Sequence, residues 1–264
     1  MYAFEYHRPS SLDEAVALLT SEDIKPLAGG QTLIPTLKQR LAMPEALVDL
    51  GRIEALKGIR KEGDAIVIGA GTTHAEVAAS EVVRGAIPAL ARLAGLIGDP
   101  QVRNRGTIGG SIANADPAAD YPAAVVGLGA TIHTNTRTIA GDDYFQDLFT
   151  TALDENELIT AVSFPIPQAA AYEKVANPAS GYAVVGVMVA KTAGGVRVGV
   201  TGAGPCAFRA TAIEDALARS FTPEAAKGVA MPADGMNSDI HASAAYRAAL
   251  ISVLASRAVA ACGG

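Results

Sequence analysis

The 264-residue sequence has no tryptophan, two cysteines and four histidines. Cys206 and Cys262 cannot hold an iron–sulfur cluster, which takes about four thiolates. They show no zinc spacing with His7, His74, His133 and His241, which are scattered along the chain. Each histidine reads as a surface or packing residue. A chain so poor in metal ligands needs an organic cofactor or partner proteins for redox chemistry. Positive charge is also scarce. Lys and Arg number 21 against 27 Asp and Glu, a net charge of −6. The pI near 5.2 argues against nucleic-acid binding, which favours basic patches. No apolar run approaches the roughly 18–20 residues of a membrane span. The longest, 123–128 and 183–190, read as cores of strands or helices. The first residues show neither a signal-peptide apolar region nor a twin-arginine pair. The expected location is cytoplasmic, with a peripheral place at the inner face of the membrane left open. Repeats and low-complexity runs are absent too. An apolar content of 50%, a charged content of 18% and a mean hydropathy of +0.26 describe a folded chain. Its length suits two domains, or one large domain with an appendage.

What the sequence does have is glycine in polar company. Residues 106–122 read Gly-Thr-Ile-Gly-Gly-Ser-Ile-Ala-Asn-Ala-Asp-Pro-Ala-Ala-Asp-Tyr-Pro. Gly109 and Gly110 permit positive φ and close approach of backbone N–H groups to a ligand. Thr107 and Ser111 offer hydroxyls, and Asn114 both a donor and an acceptor. Asp116-Pro117 ends any regular structure before it. Read alone, the stretch is equally a phosphate cradle or a polar loop between a strand and a helix. A second stretch, Pro26-Leu-Ala-Gly-Gly-Gln-Thr-Leu-Ile-Pro-Thr36, repeats the pattern of Gly-Gly and a polar pair after an apolar run. Two such stretches suggest two walls of one phosphate site.

Together these residues carry a resemblance. The chain resembles the FAD-binding medium subunits of molybdenum hydroxylases, the family of aerobic carbon monoxide dehydrogenase and xanthine dehydrogenase. The matching residues are Ala28-Gly29-Gly30-Gln31-Thr32-Leu33, Leu47-Val48-Asp49-Leu50 and Ile68-Gly69-Ala70-Gly71-Thr72. Thr107-Ile108-Gly109-Gly110-Ser111, Asp116-Pro117-Ala118-Ala119-Asp120, Leu158-Ile159 before Phe164-Pro165, and Gly181-Tyr182-Ala183 complete the set. They run in the family's order over nearly the whole chain.

The resemblance implies an α+β (α/β) fold. Two subdomains of the vanillyl-alcohol-oxidase/PCMH type clasp FAD, and a C-terminal domain adds a three-stranded antiparallel sheet with helices. The implied boundaries are 1–57, 58–166 and 167–264. Thr32 with the backbone of 28–32 and of 107–111 would hold the diphosphate. Thr107, Ser111, Asn114, Asp116 and Asp120 would bind the ribityl chain, and Ile159 would pack on the adenine or the flavin ring. Tyr182 would lie against the isoalloxazine, and Lys174 would turn positive charge toward it. The family usually carries a more basic run than Val175-Ala176-Asn177-Pro178, and Gln31 stands where many relatives have His or a small polar residue. No catalytic or metal-binding residue is expected in this chain. The implied function is electron exit. A molybdopterin-containing large subunit oxidises a substrate, and a 2Fe-2S small subunit relays electrons to FAD here, in a dimer of heterotrimers. FAD then passes them to a quinone, NAD or another acceptor. The alternatives are a stand-alone FAD-dependent oxidase or reductase, and a nucleotide-binding assembly subunit without redox activity.

Local signals fill in the chain. Residues 4–9 read as an edge strand closed by Pro9. Ser11 with Glu14 reads as a capping box opening a helix to about residue 20. Strands at 24–28 and 47–50 flank a helix at 33–41. Strands at 58–60 and 65–69 turn about Glu62-Gly63-Asp64. Gly69-Ala70-Gly71-Thr72 begins like a dinucleotide fingerprint, but His74 replaces its third glycine. Thr73 is positioned to cap a helix at 75–80, and a second helix spans 88–97. Arg103 and Arg105 suit either a diphosphate or loop-holding contacts, of which the structural role is favoured. Residues 122–128 are helix or strand, 130–134 and 137–140 strands, 144–149 a short helix, and 158–164 a strand ended by prolines. Strands follow at 172–175, 182–190 and 196–201, the last two joined at Gly194-Gly195. Gly202-Ala203-Gly204-Pro205-Cys206-Ala207 fits a loose NAD-binding pattern. Pro205, however, removes an N–H where the phosphate would sit, so a turn before the helix at 209–219 is preferred. Residues 221–242 read as irregular. Asp116 and Asp120, four apart, are placed to share a helix face. The strongest helix is 244–259, with Tyr246, Leu250, Val253, Leu254 and Arg257 on one stripe and Gly263-Gly264 beyond its end.

Overall fold

Three sheets, ordered along the chain, organise the computed structural model, which describes residues 1–262. The first is built from β1 (Glu5–His7), α1 (Leu12–Leu18), β2 (Ile24–Leu27), α2 (Leu33–Lys38) and β3 (Ala46–Asp49). All its strands are parallel, in the order β1-β3-β2. Parallel neighbours need crossovers, and the two helices supply them. Ser11 caps α1 by accepting from Glu14 N–H at 3.2 Å. The Glu14 carboxylate returns to the N–H of Ser10 at 2.9 Å rather than to Ser11, so the expected box closes one residue early. Ala15, Leu19, Val48, Ile53 and Leu56 form this sheet's small core, with Leu158 added from far along the chain.

The second sheet begins with the hairpin β4 (Ile59–Glu62) and β5 (Ala65–Gly69), turning through Gly63 at φ +56°. Six helices then intervene: α3 (His74–Ala79), α4 (Glu81–Ala86), α5 (Pro88–Gly95), α6 (Pro100–Arg103), α7 (Ile108–Asn114) and α8 (Tyr121–Leu128). Thr73 and Glu76 close a reciprocal capping box on α3. The short helices α4 and α6 were not expected. Ser80 and Asp99 cap them through their side chains, a local signal that single-turn helices carry only weakly. All eight residues of α8 are buried, as an evenly apolar helix requires. The sheet resumes with β6 (Thr131–Thr134) and β7 (Thr138–Ala140).

The helix expected at 144–149 is instead the end of α9 (Gly141–Tyr144) and a small hairpin of β8 (Phe145–Asp147) and β9 (Thr150–Thr151). At its tip Leu148 donates its N–H to Asp147 Oδ1 at 2.7 Å, a turn contact that competes with helix. Phe149 there is exposed and left-handed at φ +52°. Left-handed backbone costs a non-glycine residue roughly 1 kcal/mol. Phe149→Gly is therefore expected to raise the chain's stability by about 1 kcal/mol, read as a higher urea midpoint. An unchanged or lower midpoint would count against strain at this turn.

β10 (Ile159–Pro165) completes the second sheet, in the order β4-β5-β10-β6-β7, antiparallel throughout. Before β10, Glu157 is locked in place. Its carboxylate accepts from Thr134 Oγ1 at 2.6 Å, Thr136 Oγ1 at 3.0 Å, Arg137 Nε at 2.9 Å and Nη2 at 2.8 Å, and Asp154 N–H at 2.9 Å. The Arg137 guanidinium, opposed by burial, holds the Glu157 carboxyl down at about 2. A depressed carboxylate contributes stability that is complete above its unfolded-state value, near 4.3, and is lost as pH falls toward 2. Glu157→Gln is expected to destabilise the chain by about 2 kcal/mol at pH 7 and to remove part of its acid sensitivity below pH 4.5. Thermal midpoints across pH 2.5–7 test both.

The third sheet holds β11 (Ala169–Ala176), β12 (Ala183–Thr192) and β13 (Gly195–Thr201), with a two-residue fourth strand β14 (Phe208–Arg209) beyond those expected. Its helices are α10 (Thr211–Arg219), α11 (Pro223–Lys227) in the region read as irregular, and α12 (Ala244–Cys262). β12 is buried on both faces. Val185, Val187 and Val189 meet Ile213, Leu217, Ile251 and Leu254, while Met188 and Ala190 join Tyr172 in the core shared with α8 and the second sheet. Close approach makes this possible: a Cβ on Gly127 of α8 would lie 2.8 Å from Met188.

α12 presents a different face from the one expected. Arg247, Ala248, Ile251, Leu254, Ala255, Ala258 and Val259 are buried, while Tyr246 is half-exposed and Arg257 exposed. Alanines let the helix lie close on the sheet. Arg247 goes inward because its guanidinium meets the carbonyls of Val184 at 2.6 Å and Gly202 at 2.8 Å and the Asp239 carboxylate at 2.7 Å. α12 is also long and apolar enough to cross a membrane by length and composition, yet here it packs on a sheet. Gly263-Gly264 lie outside the described residues.

Candidate functional site

β2 ends at Leu27, and the chain turns through Ala28-Gly29-Gly30-Gln31-Thr32 into α2. Ligands sit beyond the C-terminal ends of parallel strands, which is where this loop lies. Gly30 is left-handed at φ +71°, a conformation that suits glycine. Among the described residues, nothing accepts from the N–H groups of Gly29, Gly30, Gln31, Thr32 or Leu33. Five consecutive uncommitted amides are left as donors for an anion. The Thr32 hydroxyl caps nothing and is free as well.

The second glycine stretch is not a loop. Its core is α7, with Thr107 as N-cap, and neither Gly109 nor Gly110 has positive φ. Nor are its amides free. Ile108 N–H donates to Thr72 O at 3.0 Å, Gly109 N–H to Ala70 O at 2.9 Å, Gly110 N–H to Thr107 Oγ1 at 3.1 Å, and Ser111 N–H to Thr107 O at 3.0 Å. Only the Thr107 N–H is uncommitted, so the backbone of 107–111 is not the diphosphate cradle that was expected. The glycines serve proximity instead. A Cβ on Gly109 would lie 2.5 Å from the Ala70 Cβ, and one on Gly110 would lie 3.6 Å from the Ala28 Cβ. A Cβ on Gly29 would overlap the carbonyl oxygen of Arg105. The two glycine stretches are thus pressed against each other.

α7 turns Thr107, Ser111 and Asn114 to one side by their three- and four-residue spacing. Ser111 and Asn114 are half-buried, and their side chains have no hydrogen-bond partner among the described residues. Partly buried hydroxyl and amide groups left open suit a polyol. Arg103 donates to the carbonyls of Ile97 at 3.0 Å and Gly98 at 2.9 Å, the favoured structural role. His74 lies buried behind Gly106, where burial, then Arg103, lowers its imidazole to about 4.

After α7, left-handed Ala115 (φ +47°) turns the chain. Asp116 Oδ1 accepts from Ala118 N–H at 2.9 Å, and burial raises its carboxyl. Asp116 lies in this turn and Asp120 is the N-cap of α8, so they do not share a helix face. Asp120 is buried, 2.6 Å from Tyr172 Oη and 2.9 Å from Lys174 Nζ. Burial raises its carboxyl against the pull of Lys174. Lys174 also donates to Leu96 O at 3.0 Å and Gly181 O at 2.8 Å. Its three N–H groups are thereby spent, and it acts on a ligand through its field rather than by a hydrogen bond. Both carboxylates are less open than the ribityl role supposed, Asp120 most of all. Ile159 is taken up by core packing. Tyr182 remains 44% exposed, and burial, then Asp116 and Asp120, raise its phenol. Tyr172 was not anticipated. It stands two residues from Lys174 on β11, and that same-face spacing was the available signal.

The assembled donors, an anion-binding turn followed by a polyol-binding helix face, fit a diphosphate carrying a ribityl chain. Residues 2–167 match the family model described as the FAD binding domain in molybdopterin dehydrogenase. The chain belongs to this family. As a molybdopterin-dehydrogenase FAD domain it has the α+β FAD-binding fold, binds FAD and forms part of an oxidoreductase. Its third sheet lies beyond the matched residues. The chain is 38% identical over 274 residues to the carbon monoxide dehydrogenase medium chain of Hydrogenophaga pseudoflava, covering 97% of this chain and 96% of that one. It is 36% identical over 272 residues to the nicotine 6-hydroxylase medium subunit of Paenarthrobacter nicotinovorans, with coverage of 97% and 96%. The solved Hydrogenophaga pseudoflava carbon monoxide dehydrogenase that lacks the Mo-pyranopterin moiety superposes with a TM-score of 0.90 at 38% identity, over 99% of this chain and 98% of that one.

Proposed function

We propose that this chain is the FAD-carrying electron-transfer subunit of a molybdenum hydroxylase resembling carbon monoxide dehydrogenase. Its partners are a molybdopterin-containing large subunit and a 2Fe-2S small subunit, assembled as a dimer of heterotrimers in the cytoplasm. The observation that carries this reading is the five-amide turn at 29–33 set against the open side chains of Ser111 and Asn114. FAD accepts one or two electrons at a time, and so joins one-electron clusters to a two-electron acceptor.

The chain's own residues bind and orient. Gly29 to Leu33 hold the diphosphate through N–H donors, aided by the Thr32 hydroxyl. Ser111 and Asn114 bind the polyol, with Thr107 and the free oxygen of Asp116 at either end of that face. Tyr182 offers an aromatic face to the ring. Lys174, fixed by Asp120, Leu96 and Gly181, supplies a buried positive field. A stand-alone oxidase would need an acid–base group over the ring, and the Asp120 carboxylate is already saturated. Relatives named for carbon monoxide and for nicotine match at nearly equal identity, so the substrate belongs to the large subunit.

Absorption spectroscopy of the chain purified from its natural host tests this reading, followed by chromatography of the nucleotide released on heating. Expected are a flavin spectrum, released FAD, and co-purifying subunits that contain molybdenum and iron. A lone chain that oxidises a small substrate by itself would sink it.

A further inference from the structure

The turn Asp116–Asp120 leads from the polyol-binding face of α7 into α8. Among the described residues, the hydrogen bonds that reach it from afar all come from the third sheet and its strand ends. Thr201, the last residue of β13, is fully buried. A hydroxyl has one proton, and that of Thr201 is shared between the carbonyls of Pro117 at 2.9 Å and Ala119 at 2.6 Å. The next residue, Gly202, donates its N–H to Pro117 O at 2.7 Å. Ala183, which opens β12 and directly follows Tyr182, donates to Ala118 O at 3.1 Å. Three successive carbonyls are thus taken up by two neighbouring strand ends. Ala119 O has no other partner among the described residues.

The glycine pattern at 202–204, which fits a dinucleotide motif loosely, finds its reason here. Gly202 is left-handed at φ +82°, and a Cβ on it would lie 2.6 Å from Ala183 O and 2.7 Å from Val184 O. Only glycine lets the two strand ends come this close, and its N–H is spent on Pro117 rather than left for a phosphate. Arg247 ties the same ends from behind, through Val184 O and Gly202 O. At the far end of the turn, Tyr172 and Lys174 hold Asp120. Every one of these donors lies beyond residue 167, where the matched FAD domain ends.

Resting on the flavin reading above, we infer that Thr201 is a positioning residue for the cofactor. It fixes the backbone between Asp116 and Asp120 against the strand that carries Tyr182, and so sets the ribityl and ring end of the site. The diphosphate end is set by the amide turn at 29–33, which Thr201 does not touch. The third sheet is therefore part of the flavin site, through a residue that does not itself meet the cofactor. Loss of the hydroxyl leaves Ala119 O buried without a partner, which favours a shifted turn.

Titration calorimetry of FAD and of ADP into the full chain freed of flavin separates the two ends, because ADP reaches the amide turn but has no ribityl chain. Thr201→Val keeps the side chain's shape and removes its proton; Thr201→Ser restores the proton. Thermal midpoints check that each chain folds. Expected is FAD affinity weakened about tenfold by Thr201→Val and recovered to within about threefold of native by Thr201→Ser, with ADP affinity the same in all three. Deuterium exchange of the Ala183 and Gly202 N–H groups, read without cofactor, should quicken in Thr201→Val alone. Unchanged FAD affinity in Thr201→Val overturns the positioning role. So does an equal loss of ADP affinity, which marks general loosening. A native chain that takes up neither FAD nor ADP refutes the flavin reading instead, and the exchange rates then decide by themselves whether Thr201 holds the turn.

Discussion

Gly29→Ala is expected to strip FAD from the chain. The new Cβ would overlap the carbonyl oxygen of Arg105 and lie 2.8 Å from the Gly106 Cα. Both are backbone, so no side chain can swing aside. Relief requires the turn at 28–32 to move away from the segment that leads into α7. The five amides then lose their register with the Thr107–Asn114 face. Overpacking of this kind costs roughly 1–3 kcal/mol of stability. A misaligned diphosphate site loses more, on the order of 100-fold in affinity, which is about 2.7 kcal/mol. Two comparisons isolate the cause. Gly110→Ala meets only the Thr107 hydroxyl at 2.9 Å and the Ala28 Cβ at 3.6 Å, and should keep most of its FAD. Gly85→Ala, in α4 with nothing nearby, should stabilise the chain by about 0.5–1 kcal/mol and leave FAD untouched. Titration of apo chain with FAD, followed by flavin fluorescence, reads all three. Equal affinity in Gly29→Ala and the native chain would remove this turn from the site.

Asp120→Ala should be the most destabilising single change near the cofactor. Lys174 is 6% exposed at its side chain, with Asp120 as its counter-ion. Removing the carboxylate leaves a buried ammonium facing two carbonyls and a Tyr172 hydroxyl without its acceptor. Breaking one side of a buried ion pair costs about 3–5 kcal/mol. Lys174→Met should cost less, because burial already raises the Asp120 carboxyl and a proton can neutralise it. The asymmetry is the test. Chemical denaturation should rank the native chain above Lys174→Met, and Lys174→Met above Asp120→Ala. If both variants lose the same stability, the pair is not the buried, desolvated contact that the geometry describes. Lys174→Met should also shift the flavin midpoint potential downward, because a positive field favours the reduced, anionic cofactor.

Much of this was legible before any coordinates. Apolar runs and their turns located most strands, because a residue pattern of period two needs only its neighbours to be recognised. Prolines and glycines marked the breaks at 63, 117, 165 and 194. The glycine stretches announced a ligand site by composition, and their order along the chain announced the family. The errors have a common origin in short-range ambiguity. A helix at 144–149 and a hairpin there differ by one Asp147 contact and one left-handed Phe149. The expected face of α12 followed its larger side chains, Tyr246, Leu250, Val253, Leu254 and Arg257, and passed over the alanines that are buried, Ala248, Ala255 and Ala258. Proximity to a sheet rewards the small residue instead.

The sequence by itself determined which chemistry this protein can hold. Scarce cysteine and scattered histidine leave it dependent on an organic cofactor, and two Gly-Gly-polar stretches supply groups for a phosphate and a polyol. Those facts depend on residue type alone. Tertiary structure decided how the labour is divided. The first stretch keeps five amides open although the backbone of 105–106 packs against it, because none of those N–H groups finds an acceptor among the described residues. The second spends its amides on residues 70–72 and 107, so that it contributes side chains and close packing instead. Likewise Asp120 and Lys174, 54 positions apart, become a single buried pair only when the fold brings the N-cap of α8 to β11. A hydrogen bond counts only against its alternatives, and which alternatives exist is settled by what the fold brings near.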